Sequence, residues 1–236
     1  MPCIREKIEH PHWGTLVVTR NSRARRIIMR ARPDAIYITL PPAATDKDIE
    51  RALASHGDKL KEQHEKVSIR AIDVTFSIEK PFFKLHTCRS NNNGIRLTGN
   101  NGAYRLELPV TNELLSEEAQ HQLRRAVTAA LQHRAKEILP QRLAQLAKEH
   151  GLKYKSVTIR DIKSRWGSCS NLGAISLSIY LVLLTQELID YVLLHELCHT
   201  VEFNHSTRFW EMLDKVCSCN SKSLRTQLKS HRTYFI

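Results

Sequence analysis

The sequence predicts an α+β protein in which residues 1–110 form a β-rich region with one helix and residues 111–236 form a helical half with a small sheet. Three observations carry that reading. Short β-prone runs broken by Pro and Asn-Gly turns fill the first hundred residues. A 3.6-residue apolar period then runs from Ser116 to His150. A third segment, beginning after Thr185, is apolar on nearly every side yet contains His195-Glu196-Leu197-Cys198-His199. A length of 236 residues suits one large domain or two small ones at roughly 100–200 residues each, and buries a core without disulfide or metal staples. With 42% hydrophobic and 25% charged residues, neither disorder nor a low-complexity filament is expected.

Trp13–Thr19 reads as a strand. Residues 26–32 alternate, with Arg26, Ile28, Arg30 and Arg32 on one side and Ile27, Met29 and Ala31 on the other. Pro33-Asp34 marks a turn and Ile36–Leu40 resumes, so the two runs predict a hairpin. Pro41-Pro42 ends it. Thr45 then caps a helix with Asp46 and Asp48 in its first turn and Ile49, Leu53 and Leu60 along its apolar stripe. Residues 67–109 return to short strands, with turns at Asn91-Asn92-Asn93-Gly94 and Asn100-Asn101-Gly102.

Ser116-Glu117-Glu118 is an N-cap followed by first-turn acids, and Gly151 is a C-terminal stop for a long helix. Its expected core positions are Leu123, Val127, Ala130, Leu131, Ile138, Leu143 and Leu146, with Pro140 expected to kink or split it. Beyond Gly151, Ser156–Ile162 and Ala174–Leu181 read as strands flanking a polar loop at 163–170. The second of these strands is a candidate for holding a peptide by edge pairing.

Charge and cysteines narrow the setting. The formal net charge of +12, spread over both halves, attracts anions such as phosphates, nucleic acid or acidic peptides without choosing among them. Arg20, Arg23, Arg25, Arg26, Arg30 and Arg32 cluster in the N-terminal region, as either a solvated sheet face or a nucleic-acid patch. The longest clean apolar run, Ile179–Leu184, is far shorter than the roughly 18–20 residues of a membrane helix, and the charged N-terminus lacks a secretory apolar core. Scattered cysteines then read as reduced thiols of a cytoplasmic protein. Cys217-Ser218-Cys219 is a weak metal-like pair without a second pair to match it.

The chemistry lies in the H-E-x-x-H run. Residues four apart on a helix share a face, so His195 and His199 can meet one metal ion, while Glu196 can reach a water at its open position and act as general base. Zn²⁺ suits such imidazoles plus a third ligand; Mn²⁺, Ni²⁺ or Co²⁺ can occupy the same nitrogens. The third ligand is assigned to His205, with Glu202 and Glu211 as rivals, and Asn204 is expected to supply a left-handed turn that brings His205 back. Cys198 points away around the helix and reads as packing.

The stretch Lys163-Ser-Arg-Trp-Gly-Ser-Cys169, then Ile189–His199, Asn204-His-Ser and Phe209-Trp210 closely resembles the YgjP-like metal-dependent hydrolases, grouped with the zincin metallopeptidases. Arg25-Arg26, Arg32-Pro-Asp and Leu40-Pro-Pro extend the likeness toward the N-terminus. Ser178, Thr185 and Glu202 stand where the family usually has Asn, Pro and a basic segment. The resemblance implies a zincin-like C-terminal domain, with His195, His199 and His205 as metal ligands and Glu196 as catalytic base. It also places the 163–169 loop near the metal, making Arg165 and Lys163 candidates for binding an oxyanion or a substrate phosphate. Phe209 and Trp210 are expected to anchor the next helix and so fix His205. Three functions follow: a zinc peptidase acting on peptide or protein, a hydrolase of nucleoside triphosphates at the same site, or a protease docked on nucleic acid through the basic N-terminal region.

Overall fold

The computed structural model describes residues 5–31, 35–67, 71–91, 94–110, 114–217 and 220–231. The chain divides into two compact units, one drawn from Met1–Arg70 and the other from Ala71–Thr233. The described residues form a mixed α+β structure of three small sheets and five α-helices.

The first unit holds strands β1 (Arg5–His10), β2 (Gly14–Arg20), β3 (Ile28–Ala31) and β4 (Ile36–Leu40), followed by helix α1 (Asp46–Val67). The sheet order is β1-β2-β4-β3. The expected hairpin forms, with β3 antiparallel to β4 and Met29 opposite Ile38; its Pro33-Asp34 turn and Arg32 lie outside the described residues. Period-two burial puts Ile36, Ile38 and Leu40 on one face, where they join Leu16, Val18, Leu53 and Leu60 in one core. Thr45 opens α1 as expected, its backbone N–H and hydroxyl both donating to the Asp48 carboxylate at 2.9 and 2.7 Å. Arg20 is part of this fold as well, donating to the Ala44 carbonyl and lying 3.7 Å from Asp46.

The second unit begins with β5 (Ser77–Lys80), β6 (Phe83–Ser90), β7 (Arg96–Asn100) and β8 (Ala103–Pro109), ordered β5-β6-β8-β7. Asn101 and Gly102 both have positive φ between β7 and β8, the backbone that a tight Asn-Gly hairpin requires. The Asn92-Asn93 turn lies outside the described residues. Helix α2 (Glu117–Glu149) starts at Ser116, whose hydroxyl accepts from the Ala119 N–H.

The change of composition at residue 110 is not where compactness divides, because α2 is tied to the residues before it. The buried Gln120 side chain accepts from the Ile72 N–H at 2.9 Å and donates to the carbonyls of Ile72 and Leu114. Arg134 Nε donates to the Phe82 carbonyl at 3.0 Å. Pro140 sits inside α2 without splitting it. Proline lacks the N–H that would bond the carbonyl four residues back, and that residue, Lys136, is exposed, where water can serve the carbonyl instead. Leu139 is fully buried and Ile138 only half so, which turns the expected stripe by one position.

After Gly151, at φ +65°, come β9 (Ser156–Arg160), β10 (Gly167–Cys169) and β11 (Ala174–Ser178), ordered β10-β11-β9. The strand expected over 174–181 ends at Ser178, where a 3-10 turn over Ile179–Leu183 begins. Ser178 makes that switch: its hydroxyl donates to the Ile162 carbonyl at 2.7 Å and accepts from the Tyr180 N–H at 3.3 Å. Because β11 is central and paired on both sides, it has no free edge for a peptide, which corrects that expectation; β10 is an edge strand. Helices α3 (Gln186–Cys198), α4 (Thr207–Val216) and α5 (Ser221–Ser230) complete the unit. Among the described residues no helix is long and apolar enough to cross a membrane.

Candidate metal centre

Helix α3 is buried nearly all round, through Leu188, Ile189, Tyr191, Val192, Leu193, Leu194, Leu197 and Cys198. Its position is held from α2 by a two-pronged ion pair, Arg142 Nε and Nη2 each 2.8 Å from an Asp190 oxygen. A helix fixed this way sets the direction of every side chain on it, including the two imidazoles one turn apart.

At the end of α3 the chain folds back within six residues. The N–H groups of Thr200, Val201 and Glu202 close on the carbonyls of Leu197 and Cys198 at 2.9–3.0 Å. Asn204 does not take the expected left-handed conformation; Asn101 is the single non-glycine with positive φ among the described residues. The reversal instead uses those C-terminal bonds and a tight Ser206 N–H to Asn204 carbonyl bond of 2.8 Å. Ser206 then caps α4, its hydroxyl accepting from the Phe209 N–H.

The result is a convergence. His195 and His199 Nε2 are 3.2 Å apart, His199 and His205 Nε2 3.2 Å, and His195 and His205 Nε2 3.1 Å. Two nitrogens at about 2.0–2.1 Å from a tetrahedral ion stand about 3.3 Å apart, so the three atoms match the face of such a coordination sphere. The His199 Nδ1 lies 3.0 Å from the Glu202 carbonyl; an N–H there leaves the Nε2 lone pair facing the cluster. The His195 Nδ1 is buried without a hydrogen-bond partner among the described residues. Burial first, then His199 and His205, push the His195 pKa down to about 3, and burial also lowers that of His205. Both effects favour the neutral ring, the form that binds a metal. These three residues could hold a metal ion.

Phe209 backs the cluster. Its ring is fully buried, stacks on His199 at 4.4 Å between centroids, and meets His195 and His205 edge-on, each at 4.9 Å. Trp210 lies 5.6 Å from the His205 ring. The two aromatics therefore do anchor α4, and Phe209 touches all three imidazoles besides.

Glu196 is 5% exposed. Burial pushes its carboxyl up to about 7, against the pull of Arg165. It lies against Gly167 of β10: a Cβ there would come within 2.6 Å of Glu196 Oε1 and 2.8 Å of its Cγ. Arg165, Gly167, His195 and Glu196 line one cavity of about 350 Å³, whose remaining wall includes Arg225 and Lys229 of α5. Lys163 does not line it; its ammonium lies 6.0 Å from the Tyr180 ring centroid. Glu202 contributes its backbone carbonyl while its carboxylate faces Arg208 at 3.4 Å, and neither it nor Glu211 joins the cluster. Cys198 is buried packing, its thiol pushed up to about 12 by burial. Cys217 is buried and outside the cluster; Cys219 is outside the described residues. Sequence reasoning missed Gly167, for which a glycine in a short strand was the available signal, and the two α5 cations, for which there was none.

A family model, YgjP-like, metallopeptidase domain, matches residues 25–231. The chain belongs to the YgjP-like metallopeptidase family. Membership in the YgjP-like family makes it a metal-dependent hydrolase and implies a divalent metal ion and a peptide or protein substrate. The comparisons give no support to the nucleotide and nucleic-acid partners weighed from charge. Solved structures similar to part of this YgjP-like chain include the metallopeptidase zymogens abylysin of Pyrococcus abyssi and jannalysin of Methanocaldococcus jannaschii. The first is 26% identical with a TM-score of 0.36, covering 39% of this chain and 93% of its own. The second is 21% identical with a TM-score of 0.35, covering 39% and 94%. Among curated proteins no significant match is found.

Proposed function

We propose that this protein is a zinc-dependent peptidase in which His195, His199 and His205 hold the ion and Glu196 is the general base. The observation that carries the reading is the meeting of three Nε2 atoms within 3.1–3.2 Å of one another, beside a carboxylate from the same helix. Three neutral imidazoles suit Zn²⁺, though Mn²⁺, Co²⁺ or Ni²⁺ bind the same donors. When bound, such an ion supplies Lewis acidity toward a scissile carbonyl and toward water.

The remaining work falls to side chains. Glu196 takes a proton from the attacking water and delivers it to the departing amine, a role suited by a carboxyl pushed up to about 7. The bare α-carbon of Gly167 gives that carboxylate its room. Arg165, on the cavity wall, favours the ionised carboxylate and faces negative charge developing on substrate. The His199–Glu202 contact fixes one imidazole in register. Edge strand β10, which brings Gly167 to the cavity, pairs with a strand on one side only among the described residues, and its other side suits an extended peptide.

The test is a mixed peptide panel run beside a nucleoside triphosphate panel, with metal-loaded wild type and Glu196→Gln. Peptide cleavage that is lost in the variant supports the reading. Phosphate release lost in the variant, with no peptide cut, rejects it.

A further inference from the structure

The cavity beside Glu196 has a second property that general peptide hydrolysis does not require. Its wall is built from the segment leading into β10, from α3 and from α5, and the first and last of these contribute cations. Arg165 comes from the segment before β10; Arg225 and Lys229 come from α5. Among the described residues, Glu196 is the single acidic side chain that lines it.

The placement of the α5 pair follows from local structure. Asn220 caps the helix, its side chain accepting from the Ser223 N–H at 3.2 Å. Leu224 is buried, which sets the rotation of the helix. Arg225 and Lys229, four residues apart, then share a face. The Arg225 guanidinium lies over the Trp210 ring, 4.8 Å from its centroid, and Trp210 in turn lies 5.6 Å from the His205 ring. Arg225 is thus docked through one aromatic ring onto the histidine cluster. Like charges one helical turn apart repel, and an anion seated between them relieves that repulsion.

We propose that this cavity is a carboxylate-selective subsite, in which Arg165, Arg225 and Lys229 hold an acidic group of the peptide next to the bond that is cut. The proposal rests on the peptidase reading above and names its substrate class. A carboxylate fits the donors: a guanidinium takes it two-pronged, and the Lys229 ammonium adds a mobile point charge at the cavity mouth. The group has two sources, an Asp or Glu side chain or the free C-terminus of the peptide. All three cations are exposed, so their attraction is screened by salt.

The experiment uses the full chain loaded with Zn²⁺ and matched peptides that differ in one group: Glu against Gln on either side of the cut bond, and a C-terminal carboxylate against its amide. The readout is the ratio of kcat/KM within each pair, at low and high ionic strength, for wild type, Lys229→Gln and Lys229→Glu. The expected wild-type ratio favours the carboxylate by about tenfold or more at low salt, shrinks as salt rises, falls in Lys229→Gln and inverts in Lys229→Glu. Loss on the Glu-to-Gln change assigns the side chain as the bound group; loss on amidation assigns the terminus. Peptide cleavage with ratios near one in wild type, or ratios unmoved by both Lys229 variants, overturns the subsite and leaves the peptidase standing. Absence of peptide cleavage alongside Glu196-dependent phosphate release from nucleoside triphosphates overturns both.

Discussion

The α-carbon of Gly167 lies so close to the Glu196 carboxyl group that a methyl group built on it would stand 2.6 Å from Oε1 and 2.9 Å from Cδ. One of these residues belongs to an edge strand and the other to the helix bearing two of the histidines. Their contact sets where a buried carboxylate points, and the atoms in conflict include Cγ, which cannot move without turning the side chain.

Gly167→Ala therefore turns Glu196 away from its present position. A displacement of about 1 Å at a reacting group costs on the order of 100-fold in rate. The expected outcome is a kcat lower by about that factor, with metal content at the wild-type level, read from peptide kinetics and elemental analysis of one preparation. A kcat within twofold of wild type removes Glu196 from the chemistry or shows that the carboxyl has room elsewhere.

Phe209 supports the histidine cluster from beneath, in contact with all three rings. Phe209→Ala leaves a cavity at a fully buried position and costs about 3–5 kcal/mol. Phe209→Leu keeps most of the volume but loses the flat face on His199. The expected result is a folded protein with weaker metal affinity, measured by competition with a chromophoric chelator. Equal affinity in Phe209→Leu contradicts the role given to the ring.

Arg142 and Asp190 join α2 to the histidine-bearing helix through paired 2.8 Å bonds, with side chains 30% and 20% exposed. Arg142→Lys keeps the charge and loses the fork. A drop of about 1–2 kcal/mol in unfolding free energy is expected, with Arg142→Ala at least as costly, as chemical denaturation measures. No change in either variant means that apolar packing alone holds α3.

Metal removal tests the cluster by its effect on stability. An ion that binds only the folded chain adds about 4 kcal/mol at a free concentration 1,000 times its dissociation constant. Chelation lowers Tm by several degrees, added Zn²⁺ restores it, and His205→Ala loses most of that response. Calorimetry showing one Tm for chelated and metal-loaded wild type counts against a site formed by folding.

The parts of this structure that were legible in the sequence obey local rules. His195 and His199 share a face because the helical period says so, and Ser116, Gly151 and the Asn101-Gly102 turn follow from capping and turn chemistry. The illegible parts depend on partners distant in the chain. Gln120 reaches Ile72 across 48 positions, which draws the second β-sheet into the same compact unit as α2 and moves the division to residue 70 rather than 110. The return of His205 was foreseeable from its short tether, but not its route, since backbone bonds at the end of α3 do what a left-handed Asn204 was expected to do. Ala174–Leu181 reads as one strand because a buried 3-10 turn is as apolar as a strand. Nothing local marks Arg225 or Lys229 as lining the same cavity as Glu196.

X-ray absorption at the metal edge of protein purified without chelator tests the three-histidine centre most directly. The account predicts one divalent ion per chain with three imidazole nitrogens at about 2.0–2.1 Å, and loss of that ion in His195→Ala, His199→Ala and His205→Ala. A sulfur or all-oxygen coordination shell, or full metal content in any of the three variants, contradicts it.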